Sequence, residues 1–301
     1  MGAGIIKMNR PVTHKRYIKN PDQYKYAMGW WPIARAVPDE KIKNKGLGQE
    51  GYRNWPNGES DWCPADTKEL FEKNRQAAVK EGWTEHNVKY KVNKYGFRHH
   101  EEFREDRNSF VAIGCSNTFG IGVNYEQSWP YYVSKELGLN PINLGQPGGS
   151  IQACYRVARE WIPIIKPKVV MWFVPDPARR ELFALRGSEV PKSDQTIAPI
   201  AVSHWQRDLK IKTYWETVNE NESETIMHKR AYYDAMEHVC RDTKLGVIKI
   251  PVTVQGTWHN PGEGEMGNPD TSYCARDMMH PGPRTHREII TPLFVDAYRA
   301  L

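Results

Sequence analysis

No apolar run in this chain approaches the ~20 residues that a bilayer span needs, so no membrane partner is expected. The opening M-G-A-G-I-I-K lacks the long apolar core and cleavage pattern of a secretory signal, and Ile6 stands where a myristoylation motif wants Ser or Thr. The expectation is therefore no export or anchoring signal and a cytoplasmic placement, or a virion-associated one if the chain is phage-encoded. Five cysteines (Cys63, Cys115, Cys154, Cys240, Cys274) are odd in number, irregularly spaced and without C-x-x-C. That argues against a disulfide framework and against a zinc site, and favours a reducing compartment. A phosphate-cradling G-K-[ST] is missing as well.

What remains is a chain of 301 residues, 39% hydrophobic and 26% charged, sized for one large domain or a medium domain with an extension. Its net charge of +6 lies wholly in the first third, where residues 1–110 hold 21 Lys/Arg against 15 Asp/Glu. Residues 1–45 alone carry ten basic and three acidic side chains, interleaved with Tyr17, Tyr24, Tyr26, Trp30 and Trp31. Such an arm could grip nucleic acid or an acidic protein, or lay its aromatics on the main domain. No nucleic-acid motif accompanies the charge, so nucleic acid is not expected and packing is the favoured reading. A protein partner through this extension stays open, and the oligomeric state is not legible.

Along the chain, residues 1–60 read as irregular coil. Asp66 followed by Glu69 reads as a capping box opening a helix to about Lys80, stopped by Gly82. The early part of residues 88–98 alternates apolar and polar as a half-buried strand would. From there helices and strands alternate: strands over 110–113, 141–144, 168–174 and 247–251; helices over 127–137, 150–165, 223–244 and 284–301. The long helix over 223–244 is expected to turn Ile226, Tyr233, Met236 and Cys240 inward, with Gly246 as its cap and Pro292 kinking the last helix. This alternation implies parallel βαβ units in a three-layer α/β/α sandwich over residues 106–301, behind an irregular N-terminal extension over 1–105.

The chemistry centres on residues 109–129, S-F-V-A-I-G-C-S-N-T-F-G-I-G-V-N-Y-E-Q-S-W. A buried strand ends at Gly114, and the Ser116 hydroxyl follows at the carboxyl edge of the sheet, where α/β folds bind ligands. Thr118 breaks G-x-S-x-G, and G-x-G-x-x-G is absent here, so neither an α/β-hydrolase elbow nor a dinucleotide loop is indicated. Alone, such a serine more often binds phosphate or caps a helix. Asp277 and His280 shift that balance, because D-x-x-H lets a carboxylate hold one imidazole nitrogen while the other faces a serine. In N-L-G-Q-P-G-G-S, residues 143–150, Gly148 and Gly149 allow close approach of a backbone N–H to an oxyanion, or form a plain strand-to-helix turn. The run His99-His100-Glu101-Glu102 is read as a solvated link, since neighbours in extended chain point to opposite faces and rarely share an ion.

G-C-S-N-T-F-G, N-L-G-Q-P-G-G-S and D-M-M-H-P-G, in that order, resemble the first, second and fifth blocks of the SGNH (GDSL-type) hydrolases. The lead-in N-K-Y-G-F-R, residues 93–98, resembles a segment of several bacterial and phage-encoded members. The resemblance implies a flavodoxin-like sheet with Ser116 as nucleophile, His280 as base and Asp277 as orienting acid. It also implies an oxyanion hole of the Ser116 and Gly148 N–H groups, with no cofactor and no metal. Two departures stand out: Cys115 replaces the usual Asp before the serine, and V-P-D-P-A-R-R-E, residues 174–181, replaces the third block G-x-N-D. The missing Asn donor leaves Asn117, Arg179 or Arg180 as substitutes. The activity implied is a serine-dependent carboxylic-ester hydrolase, an esterase or O-deacetylase on a small acyl or carbohydrate ester. The alternatives are an O-acyltransferase on the same site, or a non-catalytic virion or assembly protein that keeps the fold.

Overall fold

A computed structural model describes residues 59–63, 65–93, 97–98, 103–185, 197–202, 209–251 and 274–301; of 182–185, 197–202 and 209–211 it describes the backbone. The basic arm over 1–58, the lead-in positions 94–96, the run 99–102 and the loop read over 255–271 lie outside the described residues. In chain order the elements are β1 (Glu59–Ser60), α1 (Lys68–Lys73), α2 (Arg75–Lys80), β2 (Tyr90–Lys91), β3 (Ser109–Gly114) and α3 (Ser116–Phe119). Then come a 3-10 turn (Tyr125–Gln127), α4 (Trp129–Leu137), β4 (Asn140–Asn143), α5 (Ile151–Ile165), β5 (Val169–Val174), β6 (Arg180–Leu185) and β7 (Ile197–Val202). The chain finishes with α6 (Leu209–Asn219), α7 (Glu222–Cys240), β8 (Val247–Pro251), α8 (Pro283–Thr285), a π turn (His286–Ile290) and α9 (Thr291–Arg299).

The protein is α/β, built on a four-stranded parallel sheet of order β4-β3-β5-β8 flanked by helices. β3 and β5 are buried along their whole length because both sheet faces are covered, which is why they read as unbroken apolar runs. The period of two sorts their side chains cleanly. Val111, Ile113, Val170, Trp172 and Val174 pack with α5 and with Met236 and Cys240 of α7. Phe110, Ala112, Val169, Met171 and Phe173 pack on the other face with α4 and α9, where Trp129 stacks on Phe294 at 4.3 Å. Chain order 2-1-3-4 within the sheet means that β3 continues to one side and β4 crosses back to the other, leaving a switch point at the carboxyl ends of β3 and β5.

Several expectations are corrected. Thr67, not Asp66, caps the first helix, its hydroxyl accepting the Leu70 N–H at 3.2 Å; Asp66 is instead drawn inward by a buried arginine. That helix breaks at Asn74 into α1 and α2. Among the described residues of the 88–98 run, only Tyr90–Lys91 pairs as strand, with Glu59–Ser60. The helix expected from 127 begins at Trp129, because Asn124 and Gln127 cap a separate 3-10 turn. α7 ends at Cys240, and Ile226 lies exposed on it. Pro292 lies in the first turn of α9 rather than inside one continuous helix: a π turn precedes it, and the Thr291 hydroxyl bonds the His286 carbonyl at 2.7 Å. The antiparallel pair β6–β7 and helix α6 were not foreseen. Among the described residues no helix is long and apolar enough to cross a membrane.

Candidate active site

Ser116 opens α3 directly after β3 and is 6% exposed. The turn around it is tight: a β-carbon on Gly114 would fall 2.1 Å from Thr118 Oγ1 and 2.8 Å from the Phe173 carbonyl, so only glycine fits. The Ser116 carbonyl accepts the N–H groups of Gly120 (2.9 Å) and Ile121 (3.2 Å), which curls the chain back on itself.

The 143–150 turn is fastened to this one. Asn143, fully buried at the end of β4, donates from Nδ2 to the Thr118 carbonyl (2.8 Å) and accepts the Gly145 N–H on Oδ1 (2.8 Å). The Gln146 N–H bonds the Gly114 carbonyl at 2.9 Å. Gly148 sits at φ +71°, beyond the usual range of other residues. Among the described residues, neither the Ser116 N–H nor the Gly148 N–H meets an acceptor. Two backbone donors on adjoining turns are thus uncommitted beside the serine.

The third turn carries the pair. His280 Nδ1 is in short contact with Asp277 Oδ2, while Asp277 Oδ1 accepts the N–H groups of Met279 and His280, each at 3.1 Å. The Asp277 side chain is fully buried and that of His280 is 19% exposed. Met278 adopts φ +59°, a left-handed residue that folds the loop tightly enough for the ring to return to its carboxylate. With Nδ1–H donated to Asp277, Nε2 is left as the accepting nitrogen, the arrangement a general base requires.

The loop is tied to the serine turn by the Arg276 N–H on the Gly122 carbonyl at 2.9 Å, and a β-carbon on Gly122 would lie 3.2 Å from Asp277 Oδ1. Ser116 and His280 are not hydrogen-bonded to each other; backbone bonds join the serine turn to each of the other two, with the Asn143 side chain adding to one of them.

The substitute donors separate. Asn117 stays beside Ser116, 7% exposed, and its side chain makes no hydrogen bond among the described residues. Arg180 is turned elsewhere, its guanidinium on the Pro177 carbonyl and, at 3.4 Å, on Thr225 of α7. The Arg179 N–H closes a turn on the Asp176 carbonyl (3.1 Å), and Asp176 Oδ1 accepts the Ala178 N–H (2.8 Å). This turn leads the chain from β5 into β6 where the third block would stand.

Several residues escaped the sequence reading. The buried Arg98 guanidinium bonds the carbonyls of Lys89 (2.8 Å), Phe119 (3.4 Å), Gly120 and Val123 (2.6 Å), bracing the exit of the serine turn. Arg276 pairs with Asp66 with both side chains fully buried. Burial pushes the Asp66 carboxyl above its ordinary value although Arg276 opposes it, and burial likewise holds the Tyr90 phenol well up. A charged residue within a polar stretch gives no signal of burial, so only the fold reveals them. Two open clefts of about 380 and 340 Å³ flank Trp83, and none of Ser116, Asp277 and His280 lines either. No group of three or more His, Cys, Asp and Glu able to hold a metal lies among the described residues. No protein-family model matches the chain, and no curated protein matches it either.

Proposed function

We propose that the protein is a serine-dependent carboxylic-ester hydrolase of SGNH (GDSL) type, acting on a small acyl group such as acetate, with a carbohydrate ester as the substrate class. The observation that carries this reading is the Asp277–His280 pair: a buried carboxylate orienting a partly exposed imidazole, on a loop bonded to the turn that presents Ser116. The sheet order 2-1-3-4 agrees with a flavodoxin-like arrangement, with the serine at its switch point.

In this mechanism His280 Nε2 takes the Ser116 proton as Oγ attacks the ester carbonyl. The N–H groups of Ser116 and Gly148 receive the tetrahedral oxyanion, and Asp277 stabilises the imidazolium. Collapse expels the alcohol, which takes the proton from His280. Water, deprotonated by His280, then attacks the acyl-serine and releases the acid with Ser116 restored.

A fluorophosphonate tests this without knowledge of the substrate. Labelling confined to Ser116, together with p-nitrophenyl acetate turnover that disappears in Ser116→Ala, supports the proposal. Equal background rates in both proteins favour a second reading, a non-catalytic protein of the same fold. That reading draws on the absence of a Ser116–His280 hydrogen bond and of the third-block Asn.

A further inference from the structure

Four hydrogen bonds form a closed circuit behind the candidate triad. The Arg276 N–H bonds the Gly122 carbonyl (2.9 Å), and the Gly122 N–H bonds the Tyr90 hydroxyl oxygen (2.7 Å). The Tyr90 hydroxyl donates to Asp66 Oδ2 (2.5 Å), and Arg276 Nη2 closes the ring on that same oxygen (2.8 Å). Asp66, Tyr90 and Arg276 are all fully buried. The circuit spans three stretches of chain: the segment before the sheet, the turn after Ser116, and the residue immediately before Asp277.

We propose that Asp66 and Tyr90 are positioning residues of the hydrolytic site, so that the segment over 59–98 completes the site rather than merely covering the sheet. The inference rests on the ester-hydrolase reading. Neither residue reaches the reacting atoms. Tyr90 fixes Gly122, whose bare α-carbon packs against Asp277 and Ala275, and Asp66 fixes the side chain of Arg276. The guanidinium also bonds the Glu85 carbonyl (3.0 Å) and stands 4.0 Å over the Trp62 ring, both in the same segment. Further ties run from Asn74 Nδ2 to the Asp277 carbonyl (3.4 Å) and from Trp83 Nε1 to the Cys274 carbonyl (3.1 Å). A buried polar ring of this kind is high-stakes, because losing one member leaves the others without partners in a medium that does not solvate them. Its geometry therefore controls how the Asp277–His280 loop lies against the serine turn, and catalysis is sensitive to displacements of ~1 Å.

The experiment compares wild type with Tyr90→Phe, which removes only the hydroxyl and keeps the ring on Phe119. Met236→Ala, a cavity variant on α7 remote from the site, supplies a control for lost stability. With p-nitrophenyl acetate and fluorophosphonate titration, the expected result for Tyr90→Phe is about a tenfold fall in kcat per titrated serine, with KM within about twofold. Met236→Ala lowers the melting temperature and leaves both constants unchanged. Asp66→Asn combined with Tyr90→Phe is no worse than Asp66→Asn alone, because one circuit is broken only once. A wild-type kcat per titrated serine in Tyr90→Phe overturns the inference. If the wild type neither turns over ester nor labels, it is the hydrolase reading that fails. Amide exchange of peptides within 274–282 then judges the clamp by itself: faster exchange in Tyr90→Phe with 151–165 unaffected supports it, and unchanged exchange overturns it.

Discussion

The Gly122 carbonyl accepts the N–H of Arg276 at 2.9 Å, and this bond joins the turn that presents Ser116 directly to the loop that carries Asp277 and His280. The join is close enough to exclude a side chain. A β-carbon on Gly122 would lie 2.6 Å from Cβ of Ala275 and 3.0 Å from the Arg276 nitrogen, at a φ of +73°.

Gly122→Ala should therefore separate the two turns. Overpacking against backbone typically costs about 1–3 kcal/mol, with left-handed φ adding to it. The expected outcome is a lower urea midpoint with a wild-type m-value, and a disproportionate loss of esterase turnover in the folded fraction.

Asp277→Asn keeps the shape of the pair and removes the charge that sets the imidazole tautomer. Turnover of p-nitrophenyl acetate should fall by about 10⁴-fold, the scale seen when a triad carboxylate is neutralised. Fluorophosphonate labelling of Ser116 should slow in parallel, and circular dichroism should be unchanged.

Under the proposed mechanism, Asn117 and Arg180 make opposite predictions as candidate oxyanion donors. Asn117→Ala should reduce kcat by up to about 10²-fold, approaching the loss of one oxyanion donor, with little change in KM. Arg180→Ala should leave kcat near wild type, because its guanidinium is engaged by Pro177 and Thr225.

Arg156 and Glu181 form a two-pronged ion pair at 2.7 and 3.2 Å, with side chains 5% and 7% exposed. Removing one partner strands a buried charge, so Arg156→Met should cost about 3–5 kcal/mol. The double variant Arg156→Met/Glu181→Leu should recover most of that loss, as measured by chemical denaturation.

His286 is fully buried with Nδ1 accepting the Trp129 N–H at 3.2 Å, and burial, aided by the charge of Arg98, lowers its pKa from 6.5 to about 3. In that window the unfolded chain binds a proton that the folded chain does not. The contribution of this group to stability is therefore fully present above about 6.5 and is lost as pH falls towards 3, at up to about 1.4 kcal/mol per pH unit. His228, lowered to about 4 chiefly by burial, acts in the same direction. In His286→Asn, which keeps an acceptor for Trp129, the fall in the urea midpoint between pH 6.5 and pH 4 should be shallower than in wild type.

Much of the sheet was legible because burial on both faces writes a strand as an unbroken apolar run: V-V-M-W-F-V is β5 with hardly any adjustment. Helix α5 was legible from its apolar face; the structure adds its cap, the Ser150 hydroxyl accepting the Ala153 N–H at 3.2 Å. The Asp66–Glu69 capping pattern misled, because a local motif says nothing of the Arg276 that claims Asp66 from the far end of the chain. Ile226 misled in the same way: a helical period marks a face without saying what covers it.

The order of residues by itself determined the alternation of strands and helices and the positions of Ser116, Gly148, Asp277 and His280 on connecting turns, since local periodicity and turn chemistry act over a few neighbouring residues. Only the tertiary structure decided that these turns abut, that Asp277 is buried against its histidine, and that Tyr90 and Asp66 brace them. Those outcomes depend on the free energy of burying polar groups in contact with distant partners, a quantity no short window of sequence contains.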